Sequence, residues 1–215
     1  MKDTVGIGII GTGFARKVQI PAFLKCDGAK IISVASGQLK NAEDTAREFN
    51  IGHFTDDWRE TIGREDVDLI CITTPPDTHY AMTLRAIELG KHVLCEKPMA
   101  MDEAQAREMT EKAEAKGVLA LIDHELRCQH GRKKAYSMLR RGVIGKVRHA
   151  KYVFRAPSRG DANLPWNWWS NAESGGGALG AIGSHVVDSL QWFLGADISQ
   201  VFCQLQTHVK KRKDA

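Results

Sequence analysis

Apolar and polar positions alternate in blocks along the first half of the chain. Short runs rich in β-branched residues recur there, and each is followed by a stretch with the spacing of an amphipathic helix. The predicted strands cover residues 5–10, 30–35, 52–55, 68–73, 92–95 and 118–122. The predicted helices cover residues 14–25, 41–49, 58–62, 78–89 and 102–116. This order predicts an α/β fold, a doubly wound parallel sheet of Rossmann type with both faces covered by helices.

The pattern changes after about Asp123. Helices are predicted at 132–141 and 184–194, and longer alternating strands at 147–155 and 199–209. We therefore predict a Rossmann domain over 1–123 and a partial domain over 124–215, in which a second sheet is incomplete. Because the strands of a two-stranded ribbon have unpaired edges, we expect a homodimer or larger homo-oligomer that forms through residues after 147.

The composition is that of an ordinary globular protein, with 43% hydrophobic and 26% charged residues and a net charge of +4. The basic clusters 132–134 and 210–213 lack interleaved aromatic residues, which favours a solvated face or tail over a nucleic-acid site. Five cysteines without a C-x-x-C spacing indicate neither a disulfide framework nor a metal site. No signal peptide or membrane span is evident, so we expect a cytoplasmic protein.

A glycine turn follows the first predicted strand. Residues 5–10 lead into Gly11-Thr12-Gly13, and the next helix is predicted to begin at Phe14. Glycines at such a turn let the backbone approach a phosphate, towards which the N–H groups of the helix point. The stretch predicts a dinucleotide site, and the alternative is a plain tight connection between a strand and a helix.

The frame of this motif is set by the strand. A literal G-x-G-x-x-G match at Gly6, Gly8 and Gly11 lies inside the strand, where a tight turn cannot form. In the frame that begins at Gly11, the third glycine is replaced by Arg16, with the small residue Ala15 just before it. We therefore count the third position as a departure from the motif.

Polar residues end several of the other predicted strands, and parallel strands bring their carboxyl ends to one edge of the sheet. They are Ser36, Thr73-Thr74 and Glu96-Lys97. An ammonium group at position 97 could hold a substrate hydroxyl and stabilise the alkoxide that develops as hydride leaves. The alternative is an ordinary surface lysine at the end of a strand.

His185 lies at the predicted start of a helix, after a glycine-rich turn. Imidazole can accept a hydroxyl proton near neutral pH, so this histidine is a candidate general base. A structural role is the alternative, since the chain has eight histidines.

The end of the second strand bears on the choice of cofactor. An NAD site commonly has an acidic residue there for the ribose hydroxyls, but this strand ends in Ser36 and the first acid is Glu43. Lys40 is placed to meet a 2′-phosphate, and Ser36 can donate to it. We predict NADP, with NAD as the alternative if Glu43 or Asp44 reaches back to the ribose.

Five phrases of the chain, taken in order, resemble the Gfo/Idh/MocA family of NAD(P)-dependent oxidoreductases. They are GIIGTGF, TPPDTH, GKHVLCEKP, GVIGKV and GGGALGAIGSHVVD. The resemblance implies a Rossmann domain followed by an antiparallel α+β domain. It also implies a dehydrogenase or reductase that acts on CH–OH groups of sugars, inositols and related polyols or carbonyls.

The resemblance also assigns roles to individual residues. Lys97 matches the catalytic lysine and His185 the histidine that transfers a proton, while Pro98 would follow a cis peptide bond. Thr74, Pro75 and His79 match a stretch near the nicotinamide. With the glycine turn and the strand ends, the expected cofactor contacts are Gly11, Thr12, Gly13, Phe14, Ser36, Lys40, Thr73, Thr74, Pro75, His79, Glu96 and Lys97.

The chain departs from the family pattern in three places. Ala181 stands where an aspartate usually lies four residues before the histidine, although Asp188 is kept after it. Arg127 is kept from an x-R-F-x-P stretch, whereas Cys128 and His130 replace its aromatic residue and proline. The chain is also shorter than most members. The alternative function is therefore a non-catalytic NADP-binding relative that serves as a sensor or partner subunit, and a third possibility is a fragment of a longer enzyme.

Overall fold

The computed structural model describes residues 4–157 and 159–213, which divide into two compact units. The first unit ends at Asp123, and the second begins at His124. Every β-strand found among the described residues belongs to the first unit.

The first unit is built on one sheet of six parallel strands in the order β3-β2-β1-β4-β5-β6. The strands are β1 Val5–Ile10, β2 Ala29–Ala35, β3 His53–Thr55, β4 Leu69–Ile72, β5 His92–Glu96 and β6 Ala120–Asp123. The strand order reverses between β1 and β4, which is where ligands bind in doubly wound folds. The predicted Rossmann-type sheet is confirmed.

Helices connect the strands of this unit. They are α1 Ile20–Phe23, which follows a π-helical turn Ala15–Gln19, then α2 Leu39–Phe49, α3 Trp58–Gly63, α4 His79–Glu88 and α5 Glu103–Lys116. A 3₁₀ turn at Pro76–Thr78 leads into α4. Asp102 caps α5 by accepting a hydrogen bond from the Gln105 N–H at 2.9 Å, and Gly117 ends it with φ +68°.

Side chains of the sheet are buried on both of its faces, so the core has two layers. On β4, Ile70 and Ile72 contribute to the layer under α3, α4 and α5, while Cys71 points into the layer under α1 and α2. Burial raises the pKa of the Cys71 thiol, and it raises that of Cys95 to about 12. Both cysteines are therefore inert core residues.

Within its described residues, the second unit contains two α-helices, α6 His130–Arg140 and α7 Ser184–Leu194. The rings of Tyr136 and Trp192 stack between these helices at 4.5 Å. Shorter turns accompany them: the 3₁₀ turns Glu125–Cys128 and Trp168–Ser170 and the π-helical turn Leu179–Gly183.

The described part of the second unit has no β-strand, so the strands predicted at 147–155 and 199–209 are wrong for this structure. A strand requires a neighbour that pairs with its backbone N–H and C=O groups, and no ladder joins these two segments. Their apolar side chains lie largely in solvent, as Phe154 at 56% and Phe202 at 94% exposure illustrate. Alternation of apolar residues alone does not supply the partner that a strand needs.

The basic segment near residue 212 is bound to a loop of the second unit and is not simply a solvated tail. The Arg212 guanidinium donates to the carbonyl oxygens of Arg159, Asp161 and Leu164 at 2.7, 2.6 and 3.2 Å. The Trp166 N–H donates to the Lys213 carbonyl at 2.6 Å.

Residues 4–157 and 159–213 lack two kinds of feature. No helix in these ranges is long and apolar enough to cross a membrane. The same ranges hold no group of three or more His, Cys, Asp or Glu side chains arranged to bind a metal ion.

Two glycines of β1 account for the literal motif inside the strand. A Cβ at Gly6 would lie 1.9 Å from the Asp66 carbonyl oxygen, and a Cβ at Gly8 would lie 2.7 Å from the Thr61 methyl carbon. Both glycines allow neighbouring chain segments to approach the first strand closely.

We expect Gly6→Ala to lower the free energy of unfolding by about 1–3 kcal/mol, because the new methyl group meets backbone that must shift. Gly52→Ala is the matched control, since a Cβ there has no atom within 4 Å. Urea unfolding of both variants measures the difference, and equal effects at the two positions would contradict the close approach at Gly6.

Candidate functional site

The first part of the site is the turn that follows β1. Gly11 has a φ of +98°, a conformation that residues with a Cβ rarely adopt. Its N–H donates to the Ala35 carbonyl at 2.9 Å, and its own carbonyl accepts from Thr73 Oγ1 at 2.8 Å. A Cβ at Gly11 would lie 2.7 Å from the Thr73 backbone. This glycine is therefore held between the ends of β2 and β4, at the switch point of the sheet.

The residues after Gly11 leave room for a ligand. Thr12 is buried and Phe14 is half-buried, but Gly13 is exposed, and a Cβ there would meet no atom within 4 Å. A bare backbone beside open space at the start of a helical segment suits a pyrophosphate. The turn therefore fits the dinucleotide that the sequence predicts.

The departure at the third glycine position has a structural explanation. Ala15 is fully buried against the core, so this small residue permits the close packing of helix on sheet. Arg16 turns away from the core and binds Glu48 of α2, with 2.9 Å between Nε and Oε2. The arginine thus anchors the glycine turn to the next helix.

The end of β2 carries the residues predicted to contact the ribose. Ser36 is half-buried, and its N–H donates to the Thr55 carbonyl at 3.1 Å. Lys40 is exposed and lies 2.5 Å from Asp44 Oδ1, and this ammonium lowers the pKa of the Asp44 carboxyl. Arg47 similarly binds Glu43 at 2.8 Å. Both acids that were considered for the ribose are therefore paired with cations of their own helix.

The loop after β4 is tied together by hydroxyl groups. Thr74 Oγ1 lies 2.6 Å from Thr78 Oγ1, and the Pro75 carbonyl accepts from Thr78 Oγ1 at 2.7 Å and from its N–H at 3.0 Å. These bonds fix the backbone of the T-P stretch at the carboxyl edge of the sheet. Thr73, one residue earlier, holds the glycine turn.

His79 lies beneath the surface of this edge and contacts the backbone of two of its loops. Its side chain is fully buried, with Nδ1 2.9 Å from the Pro98 carbonyl oxygen and Nε2 2.9 Å from that of Thr74. Burial is the main cause of a lowered pKa for this imidazole. With no exposed surface, His79 does not offer the direct cofactor contact that was predicted for it. It links the loops after β4 and β5.

Lys97 lies directly after β5, in the loop that His79 supports. Glu96 is buried, and its Oε2 accepts from the Lys97 N–H at 3.3 Å. The Lys97–Pro98 peptide bond is cis, as the resemblance implied. The Lys97 residue itself is partly exposed. The lysine thus follows a strand next to β4, close along the sheet edge to the T-P stretch.

His185 belongs to the second unit and lies in the first turn of α7. It is 8% exposed, and its Nε2 lies 3.8 Å from Glu125 Oε1. The ring of His124 approaches it edge-on, with 6.2 Å between the ring centroids. Ala181 is buried in the π-helical turn just before α7.

Asp188 lies one helical turn after His185 and has a structural partner. The carboxylate is 7% exposed and accepts from Arg127 Nε at 3.0 Å and from a second guanidinium nitrogen. This fork raises the pKa of Arg127. The two residues kept from the family pattern therefore bind each other.

Two further polar contacts were not predicted from the sequence. The buried Gln19 donates from Nε2 to Asp123 Oδ2 at 2.9 Å, which joins the π-helical turn after β1 to the end of β6. The second contact is the approach of Glu125 to His185. Asp123 could have been found from the sequence, because it lies at the end of a strand, on the edge of the sheet where ligands are expected. Glu125 lies outside the predicted strands and helices, so no pattern in the sequence marks it.

Comparisons with known proteins assign the chain to a family. Residues 5–124 match a model described as an oxidoreductase family with an NAD-binding Rossmann fold, and residues 133–215 match a GFO/IDH/MocA C-terminal domain. D-glucoside 3-dehydrogenase of Escherichia coli is 31% identical over 88% of this chain and 54% of its own length. The chain spans about half the length of the curated relatives it matches.

Solved structures agree with this assignment. An oxidoreductase domain protein from Kribbella flavida has a TM-score of 0.90 at 30% identity, over 99% of this chain and 60% of that one. Levoglucosan dehydrogenase, solved in complex with NADH and levoglucosan, has a TM-score of 0.83 at 27% identity, over 98% and 59% of the two chains. The chain therefore belongs to the Gfo/Idh/MocA family of oxidoreductases.

Proposed function

We propose that this chain binds a nicotinamide dinucleotide at the glycine turn and transfers hydride to or from a CH–OH carbon of a sugar or related polyol. The main support is the hydrogen bond from Thr73 Oγ1 to the Gly11 carbonyl at the switch point of the sheet. Beside it, the backbone of Gly13 has open space for a ligand. The relatives support the substrate class, since they include a levoglucosan dehydrogenase, a 1,5-anhydro-D-fructose reductase and a D-glucoside 3-dehydrogenase.

The roles of the residues follow from their chemistry. The bound nicotinamide would supply the hydride acceptor or donor. In the oxidising direction, Lys97 holds the substrate hydroxyl and stabilises the developing alkoxide, and His185 accepts the hydroxyl proton. The C–H electron pair leaves as hydride and a carbonyl forms, so atoms and charge balance.

Lys97→Ala is expected to reduce turnover roughly a hundredfold or more, because the alkoxide loses its positive partner. The dissociation constant for the dinucleotide should change by only a few-fold. Steady-state assays against a panel of sugars, glycosides and inositols, with fluorescence titration of the cofactor, measure both quantities.

Lys112→Ala is the control, since it removes an exposed lysine from the same unit. A wild-type chain that binds the dinucleotide and never turns over would favour the non-catalytic relative. Equal turnover of Lys97→Ala and Lys112→Ala would contradict the role of Lys97.

We further propose a preference for NADP over NAD. The support is the absence of an acid at the end of β2, together with the pairing of Glu43 and Asp44 with cations of their own helix. An exposed pair such as Lys40–Asp44 contributes little energy, so the ammonium can exchange its carboxylate for a 2′-phosphate.

Lys40→Ala should therefore weaken NADPH binding about tenfold, the equivalent of one charge-assisted contact, and leave NADH binding unchanged. Isothermal titration of both cofactors checks this, with Lys30→Ala as an exposed control on β2. Tighter or equal binding of NADH by the wild-type chain would overturn the preference.

We also propose that the chain forms homodimers through the second unit. The support is a short segment with highly exposed apolar side chains, 84% at Val201, 94% at Phe202 and 70% at Leu205.

Sedimentation velocity at micromolar concentration is expected to show a dimer, and Phe202→Asp is expected to shift it to monomer, because the charge would have to be buried at the interface. Lys134→Asp on α6 serves as a control change at an exposed position. A wild-type monomer would contradict the proposal.

A further inference from the structure

A carboxylate faces the proposed proton-transferring histidine within the second unit. Glu125 is the first residue of the 3₁₀ turn Glu125–Cys128, and His185 lies in the first turn of α7. The distance from His185 Nε2 to Glu125 Oε1 is 3.8 Å, which is too long for a direct hydrogen bond but within the range of an ion pair once the imidazole is protonated. The two side chains are 10% and 33% exposed, so solvent screens the pair only in part.

A second contact fixes the turn and the helix beside this pair. Arg127 lies two residues after Glu125, and Asp188 lies one helical turn after His185. The guanidinium of Arg127 binds the nearly buried carboxylate of Asp188 through two nitrogens. Because this fork has a defined planar geometry, it holds the 3₁₀ turn against α7 and keeps Glu125 opposite the imidazole.

Two other titratable groups of this unit, His124 and Asp188, lie near His185. His124 places its Nε2 3.7 Å from Asp188 Oδ1 and its ring edge-on to that of His185. The negative charge of Asp188 is matched by Arg127, and a carboxylate oxygen of Glu125 lies within 4 Å of the His185 ring nitrogen. A carboxylate at this distance favours the charged form of an imidazole.

We propose that Glu125 is a positioning residue for His185, which orients the imidazole and stabilises it once it has gained a proton. This rests on the proposed function, in which His185 accepts the substrate's hydroxyl proton. Position 181, where the resemblance implies an aspartate, holds a buried alanine. Glu125 then supplies, from a different element, a negative charge beside the site's histidine.

The direct test is an NMR titration of the histidine C2 protons in the full chain. Glu125→Gln keeps the shape of the side chain and removes its charge, and His185→Asn identifies the resonance. We expect the midpoint of the His185 titration to fall by about one pH unit in Glu125→Gln. Glu173→Gln, which removes the same charge at an exposed position of this unit, is expected to leave the midpoint unchanged.

Either of two results would overturn the inference. One is a His185 midpoint that is the same in wild type and Glu125→Gln. The other is a wild-type His185 that stays neutral down to about pH 5, where an unperturbed imidazole is already protonated. Circular dichroism of each variant verifies that the second unit has kept its helices.

This titration requires no turnover, so it separates the inference from the proposed function. If the midpoint shifts and no substrate is oxidised, the pairing stands and the catalytic proposal fails. Where turnover is measured, kcat is expected to fall in Glu125→Gln with KM little changed, and the acid limb of the pH profile moves to lower pH. Glu125→Asp should recover part of kcat, and an unchanged pH profile in Glu125→Gln would contradict the role.

Discussion

The bond between Thr73 and the Gly11 carbonyl is the contact on which the carboxyl edge of the sheet depends. This hydrogen bond joins the ends of β1 and β4, between which the strand order reverses. The Gly11 N–H also donates to the carbonyl of Ala35 at the end of β2. Three strand ends are thereby fixed relative to one another through a single residue without a side chain. A methyl group at Gly11 would collide with the backbone of Thr73, so the shape of the edge and the presence of glycine are inseparable.

His79 extends this arrangement along the sheet. A fully buried imidazole between the carbonyl oxygens of Thr74 and Pro98 couples the loop after β4 to the loop that carries Lys97. The Thr74–Pro75 loop has further ties through Thr78, so it is braced from two sides. The proposed catalytic lysine is thus set on a framework of backbone contacts, which is the rigid support that a reacting group requires.

Much of the first unit could be predicted from the sequence, because its information is local. Each strand is a short apolar run, and α3 and α5 begin at a capping aspartate, so the predicted strands and helices α2 to α5 agree with the structure within two residues. The helix predicted over 14–25 is a π-helical turn followed by the short helix α1. The correct motif frame followed from the rule that a turn lies at the end of a strand. The roles of Ala15 and Arg16 could not be predicted, since they depend on packing against the core and on Glu48 of a later helix.

The second unit shows where such prediction fails. Apolar and polar residues alternate in the segments 147–155 and 199–209 as they do in strands. Strand pairing, however, depends on two segments together and cannot be predicted from the pattern of one segment. Glu125 was missed for a related reason, because its turn meets α7 through side-chain contacts such as the fork between Arg127 and Asp188. Contacts between residues about sixty positions apart leave no periodic trace in the sequence.

Arg212 has a consequence for the order of the loop that it binds. Three carbonyl oxygens from residues 159–164 point at its guanidinium, as they would at a bound metal cation. The positive charge that these carbonyl dipoles require is therefore supplied by a side chain of the same chain. Two separate nitrogens of the rigid guanidinium share these contacts: one donates to the carbonyls of Asp161 and Leu164, and the other donates to that of Arg159. The loop 159–164 and the segment near residue 212 therefore order each other. The conformational entropy of closing the long stretch of chain between them is lost once, when Arg212 binds the loop.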